Sequence, residues 1–202
     1  MQSELRKKYK EDLYKKIHFN LLRNREVLDI GCGDGEDAFN LSKIAKKVTA
    51  FDVKKFQEWE KYKNSKLSFK IADAQNMFFN NKMFDGVLLK DVLHHVEKPE
   101  EVLKEIERVT RKGSIIILIE ANRYNPLFYI HMTKMLGHEH FTRKKFEELI
   151  GERFMNVAFY HFESHFYPNK LIQSFLKLLQ LFMEKTPLLN NFLSYNVAVI
   201  KK

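Results

Sequence analysis

The sequence predicts an α/β fold: a seven-stranded, largely parallel sheet with helices on both faces. Three observations carry this. Short apolar runs alternate with helical periodicities along the chain, the pattern of parallel strands joined by crossover helices. One junction, Val27-Leu-Asp-Ile-Gly-Cys-Gly-Asp-Gly35, runs from an apolar strand through three alternate glycines into a helical period at Ala38, Phe39, Leu41 and Ile44. No repeat, low-complexity tract or Pro/Gly linker divides the 202 residues, so 1–202 is expected to be one domain with a substantial core.

The elements follow in order. Leu5, Tyr9, Leu13, Ile17 and Leu21 recur every four residues and predict a helix over 3–22. The apolar run before the glycines gives a strand at 26–30, and the period after them a helix at 36–45. Lys47-Val-Thr-Ala-Phe-Asp52 reads as a strand ending in an acid, followed by a helix over 54–63 and a strand over 67–72. Phe84-Asp-Gly-Val-Leu-Leu-Lys90 predicts a strand at 84–89. Val102, Leu103, Ile106 and Val109 share one face of a helix over 99–111, and Ser114-Ile-Ile-Ile-Leu-Ile-Glu120 is a strand at 114–120. The remainder reads as helix 142–150, strand 153–162, helix 168–184 and strand 193–200.

A strand that turns through glycines into a helix brings backbone close to a ligand and offers free N–H groups to an anionic one. A phosphate-binding P-loop needs Lys-Ser/Thr after its glycines, and none is present. A dinucleotide fingerprint needs Gly-x-Gly-x-x-Gly, and here the third glycine comes one residue early. Asp29 and Asp34 flank the loop and would repel a pyrophosphate, whereas they suit a ligand with an ammonium or sulfonium group, such as S-adenosylmethionine (SAM). The carboxylate of SAM can still use the helix N-terminus. Asp52, 21 positions after Gly31, can accept both ribose hydroxyls of SAM or of a nicotinamide dinucleotide, so it fits either ligand.

From these residues the chain resembles the class I SAM-dependent methyltransferases, in particular the type 11 methyltransferase-domain family, over 26–120 and more loosely to 160. Ser68-Phe-Lys-Ile-Ala-Asp-Ala74 looks like the family's third strand and acidic loop, Phe84 to His95 like the fourth strand and following loop, and Lys112 to Glu120 like the turn into the fifth strand. The resemblance implies a Rossmann-like sheet whose last strand inserts antiparallel beside the fifth. It implies SAM as cofactor and S-adenosylhomocysteine as product. Asp29 and Gly31 would hold the methionine end, Asp52 the ribose, and Asp73 and Ala74 the adenine, with Cys32, Gly33, Gly35 and Val53 also at the cofactor. Lys90 stands where the family often has a small or hydroxylic residue. Its side chain is expected at the surface, with its carbonyl available to the SAM ammonium; the alternative points it at the acceptor. His94 and His95 are expected to divide, one packing and one orienting an acceptor hydroxyl or taking its proton. An Asn/Asp-Pro-Pro-Tyr motif is absent after strand 4, which favours an oxygen or carbon nucleophile on a small-molecule or lipid-like acceptor. An RNA-directed methyltransferase, a nicotinamide-dependent oxidoreductase and a non-catalytic SAM-binding protein are the alternatives.

Composition narrows the partners. Net charge is +9, but Lys outnumbers Arg 27 to 8 and no Arg cluster stands beside aromatics, so nucleic acid is the weaker reading. One cysteine excludes an internal disulfide, and the electronegative loop makes Cys32 a packing residue rather than a nucleophile. Met1-Gln-Ser-Glu-Leu-Arg-Lys-Lys lacks an apolar core and no run of 18 apolar residues occurs, so a cytoplasmic location is expected. His138-Glu-His140 has poor spacing for a metal pair, and no metal is expected.

Two apolar segments exceed what the sheet requires, at 121–141 and 164–192. In the second, Gln173, Lys177, Gln180 and Glu184 form one narrow polar stripe in an otherwise apolar helix. The surplus is expected to cover something: the other segment, as a lid over the acceptor, a second subunit in a homodimer, a lipid-like acceptor, or a membrane surface contacted peripherally.

Overall fold

The computed structural model describes residues 2–126, 129 and 140–202. Seven strands form one sheet in the order β3-β2-β1-β4-β5-β7-β6. The strands are β1 (Glu26–Ile30), β2 (Lys47–Asp52), β3 (Leu67–Ile71), β4 (Phe84–Lys90), β5 (Thr110–Ala121), β6 (Val157–Phe162) and β7 (Tyr195–Lys201). β7 is antiparallel to both neighbours, and the other pairings are parallel. The helices are α1 (Gln2–Lys16), α2 (Glu36–Ser42), α3 (Pro99–Val109), α4 (Arg143–Gly151) and α5 (Lys170–Lys185).

Alternation along the central strands builds a core on each face. Leu28, Val87, Leu89, Ile116 and Ala198 pack with Val102, Leu103 and Ile106 of α3 and Phe146 and Ile150 of α4. Val27, Leu88, Ile117, Ile119 and Val197 point the other way, onto Leu13 of α1, Ile17, and Ala38 and Leu41 of α2. The strand order reverses between β1 and β4, so the crevice beyond their carboxyl ends is the ligand-binding position of such sheets.

Three expected elements differ. The helix over 3–22 stops at Lys16, because His18 takes a left-handed conformation (φ 53°), and a 3₁₀ turn Phe19–Leu22 follows. Residues 54–63 form no α-helix, only a 3₁₀ turn Gln57–Lys61 that seats Trp59 flat on Phe69 with ring centres 4.8 Å apart. β5 begins at Thr110, so the turn at Gly113 (φ 82°) is absorbed into a 12-residue strand. The apolar positions Leu127, Phe128, Ile130, Met132, Met135 and Leu136, with His138 and Glu139, lie outside the described residues. No described helix is long and apolar enough to cross a membrane.

Candidate functional site

The glycine loop leaves β1 with every glycine in the left-handed region, at φ 67° for Gly31, 51° for Gly33 and 84° for Gly35. Neighbouring strands hold it in place. Cys32 N–H donates to the Phe51 carbonyl at 2.9 Å, Gly33 N–H donates to Asp52 Oδ2 at 2.9 Å, and Trp59 Nε1–H donates to the Gly33 carbonyl at 2.8 Å. Gly35 lines no part of the crevice. A Cβ there would meet the Phe69 ring at 2.7 Å and Trp59 at 3.1 Å, so its work is to let α2 start beneath those rings. Gly33 is the opposite case: a Cβ would meet nothing within 4 Å, because it would project into the crevice.

The crevice has two halves that share Gly31, Gly33 and Asp91. One, about 420 Å³, has apolar walls from Phe51, Val53, Ala72, Ala74, Val92 and Val96, with Asp52, Asp73 and His95 among its polar groups. The other, about 240 Å³, is charged, and is lined by Asp29, Cys32, Asp34, Glu36, Asp37, Lys90, Arg6 and Lys10. All the sequence-predicted cofactor residues except Gly35 therefore line the crevice.

The charged half is organised by Asp37, near the start of α2. Its carboxylate accepts from Lys10 Nζ at 2.6 Å, Lys90 Nζ at 2.7 Å and Tyr14 Oη at 2.8 Å. Burial would push this carboxyl up, but the ammonium groups of Lys90 and Lys10 overcome it and hold it well below the usual range. Lys90 is accordingly not a surface lysine. Its side chain is half-buried, and although burial alone would lower its pKa, the carboxylates of Asp37 and Asp91 raise it instead. Arg6 pairs with Glu36 at 2.5 Å. With Asp34 Oδ1 accepting the Glu36 N–H at 3.0 Å and two acids in the first turn, the N-terminus of α2 is not an open anion site, and the cations of α1 and Lys90 take that part. Asp29 is 3% exposed, and its Oδ2 makes no hydrogen bond among the described residues. Burial, then the nearby Asp37, raises its pKa well above the usual range. Burial also pushes the Cys32 thiol up, with Asp29 and Asp52 adding to it, as its electronegative loop requires.

The two histidines take different places. His94 is buried, with Nδ1 2.6 Å from Glu120 Oε2, and lines neither half of the crevice. His95 lines the apolar half. Glu120, at the end of β5, is fully buried and accepts the Val92 and Leu93 amides at 2.9 and 2.6 Å. Asp91, which joins the two halves, is held at φ 56° with its N–H on the Ile119 carbonyl at 2.9 Å. Burial pushes its carboxyl up to about 6. His140 packs its ring 4.2 Å from His94, and no group of three metal-ligating side chains occurs among the described residues.

Residues 28–118 match the family model described as a methyltransferase domain, so the resemblance read from the sequence holds over the stretch that supplies all the crevice residues named above except Arg6 and Lys10. Among curated proteins the chain is similar to a tRNA U34 carboxymethyltransferase of Nautilia profundicola, 29% identical over 130 residues, covering 59% of this chain and 43% of that one. It is also similar to a ubiquinone biosynthesis O-methyltransferase of Rickettsia bellii, 32% identical over 121 residues, covering 57% of this chain and 50% of that one. The chain spans about half the length of these relatives. Among solved structures it shares the fold of a SAM-dependent methyltransferase from Archaeoglobus fulgidus (TM-score 0.67, 20% identity, covering 95% of this chain and 92% of that one). It likewise shares that of the N-methyltransferase NodS from Bradyrhizobium japonicum, crystallised with S-adenosylhomocysteine (TM-score 0.65, 13% identity, covering 96% and 87%). The class I SAM-dependent methyltransferase fold is thus the fold of this chain.

Gly33→Val is expected to abolish cofactor binding and leave the far-ultraviolet circular dichroism near wild type. The new side chain would enter the crevice from a left-handed backbone position, with no protein atom within 4 Å of its Cβ. Isothermal titration with SAM checks this, and wild-type affinity would show the loop to be structural only.

Proposed function

We propose that this protein is a SAM-dependent methyltransferase acting on a small-molecule or lipid-like acceptor through an oxygen or carbon nucleophile. The observation that carries the reading is the division of the crevice. An apolar half with Asp52 at its floor suits a nucleoside. A charged half with unpaired Asp29 Oδ2 and the cations Arg6, Lys10 and Lys90 suits the zwitterionic end of an amino acid. The open space at Gly33 and the orphaned Asp29 oxygen both fit SAM, which supplies an electrophilic methyl on a good leaving group. The relatives named for ubiquinone and for tRNA U34 support methyl or carboxymethyl transfer as the reaction class.

In this reading Asp52 accepts the ribose hydroxyls while Gly33 N–H fixes its orientation. Asp73 and Ala74 meet the adenine. Lys10 and Lys90 face the carboxylate end, Asp29 the ammonium. Catalysis by such a site is mostly positioning and exclusion of water. His95 lies on the cavity wall, where it can orient an acceptor hydroxyl or take its proton. His94 holds the loop instead.

Asp52→Ala removes a charged acceptor of two hydroxyls, and such bonds contribute roughly 1.5–3 kcal/mol. Affinity for SAM is expected to fall by about ten- to a hundredfold in a folded protein, measured by isothermal titration. Unchanged affinity would remove Asp52 from the site. Methyl transfer from labelled SAM into a cell extract fractionated into lipid, RNA, protein and small molecules identifies the acceptor class. Label confined to RNA would favour the tRNA-type reading.

A further inference from the structure

Most of the polar stripe of helix α5 turns toward the protein, with Leu176, Leu179 and Met183 half-buried beside it, while Lys177 stays exposed. Lys177 Nζ reaches Asp12 Oδ2 of α1 at 3.1 Å. Glu184 accepts from Lys16 Nζ and from the Glu163 amide. Gln173 accepts from the Tyr167 amide at 2.6 Å and donates to the His165 carbonyl at 3.1 Å. On the opposite face stand Leu171, Phe175, Leu178 and Phe182, which are 81, 64, 67 and 61% exposed. Their spacing of four, three and four residues makes one continuous apolar stripe. No residue of α5 is buried, and Leu188 and Phe192 continue the exposed apolar surface in the turn Pro187–Phe192. Scattered exposed leucines are ordinary, but a contiguous stripe with its polar side spent on the protein is not. The helix lines neither half of the crevice.

The surrounding charges select the occupant. The one acid of α5, Glu184, is turned inward onto Lys16, and Lys177 is paired with Asp12. Lys170 and Lys185 stand at the two ends of α5, and no acid interrupts its exposed face. A second copy docked face to face would bring two such lysine sets together. An anionic bilayer attracts them while receiving the apolar stripe. We propose that α5 docks this protein on an anionic lipid surface, lying in the headgroup plane with Leu171, Phe175, Leu178 and Phe182 inserted and the lysines at the phosphates. This does not rest on the methyltransferase reading.

Flotation with vesicles tests it. The wild-type protein is expected to float with phosphatidylcholine vesicles containing phosphatidylglycerol, less with phosphatidylcholine alone, and less again in 1 M salt, where the screening length falls to about 3 Å. Phe175→Ser with Phe182→Ser should cut partitioning by about tenfold per phenylalanine and leave Tm and SAM affinity at wild-type values, since both rings already face solvent. Lys170→Glu with Lys185→Glu should erase the preference for anionic vesicles. Three results would overturn the proposal: wild-type protein that floats with neither vesicle, a double serine variant with a markedly lower Tm, or a solution dimer that this variant dissociates. SAM binding in the same samples reports the cofactor site separately.

Discussion

Glu120→Ala is expected to destabilise the protein by about 3–5 kcal/mol, as the midpoint of urea unfolding at constant slope will show. The carboxyl group is wholly buried, accepts the amides of Val92 and Leu93, and lies 2.6 Å from His94 Nδ1. Alanine leaves two buried N–H groups without a partner and opens a cavity behind the loop that carries Asp91 and His95. The pH dependence has a sign. Burial raises the Glu120 pKa from 4.5 to about 8 against the pull of the Leu93, Val92 and His94 hydrogen bonds. The folded state therefore holds a proton that the unfolded chain releases, so this contribution is full below 4.5 and is lost as pH rises towards 8. Asp91, raised from 3.8 to about 6, acts the same way over a lower window. His94, lowered from 6.5 by burial, acts oppositely and only below 6.5. Between about pH 6.5 and 8 Glu120 is left as the dominant group of this cluster, and Glu120→Gln should flatten the fall in stability there. A slope unchanged by Glu120→Gln would place the proton elsewhere.

Asp37→Ala should cost a comparable amount, about 3–5 kcal/mol at neutral pH, because it strands two largely buried ammonium groups and the Tyr14 hydroxyl. Its carboxyl is held below the usual range, so the stabilisation is present above about pH 3.8 and disappears as pH falls through the folded value. The gap between wild type and Asp37→Ala should close in acid. Adding Lys90→Met to Asp37→Ala should restore part of the lost stability, since the stranded charge is then gone. No recovery in that cycle would mean that Lys90 finds water or another acid. SAM affinity should fall with Asp37→Ala as well, because Lys10 and Lys90 lose the carboxylate that aims them into the crevice.

The parts of the site visible in the sequence are those written in consecutive residues. The glycine loop, Asp52 at a strand end and the Asp73-Ala74 loop each follow a strand, and a parallel sheet brings all strand ends to one edge. The parts that were not visible depend on contacts between distant segments. Arg6, Lys10 and Tyr14 lie off the apolar stripe of their helix, and nothing local shows that this side meets α2. Asp37 stands in the first turn of α2, and nothing in its neighbouring residues marks the three partners it gathers. Glu120 did carry a signal, an acid closing an uninterrupted apolar strand, which has to be buried and therefore has to be satisfied. Lys90 was misjudged because a lone lysine at a strand end is usually solvated, and its partner lies 53 residues away. The α5 stripe was legible as a pattern, but its direction was not. Periodicity fixes which residues share a face and leaves open which face turns inward.

The order of the sheet has a consequence for synthesis. β7 is the last of the seven strands to be made, yet it is an interior strand, paired along β5 from Ile115 to Ala121 and along β6 from Val157 to Phe162. Until it arrives, the nascent chain carries β5 with one open edge of isoleucines, and β6 has no neighbour at all. The first five strands can assemble as the ribosome delivers them, while the outer third of the sheet has to wait and then close by long-range pairing, the slow kind. During that interval the β5 edge and the whole of β6 are unpaired, the condition under which chains associate with one another or engage chaperones.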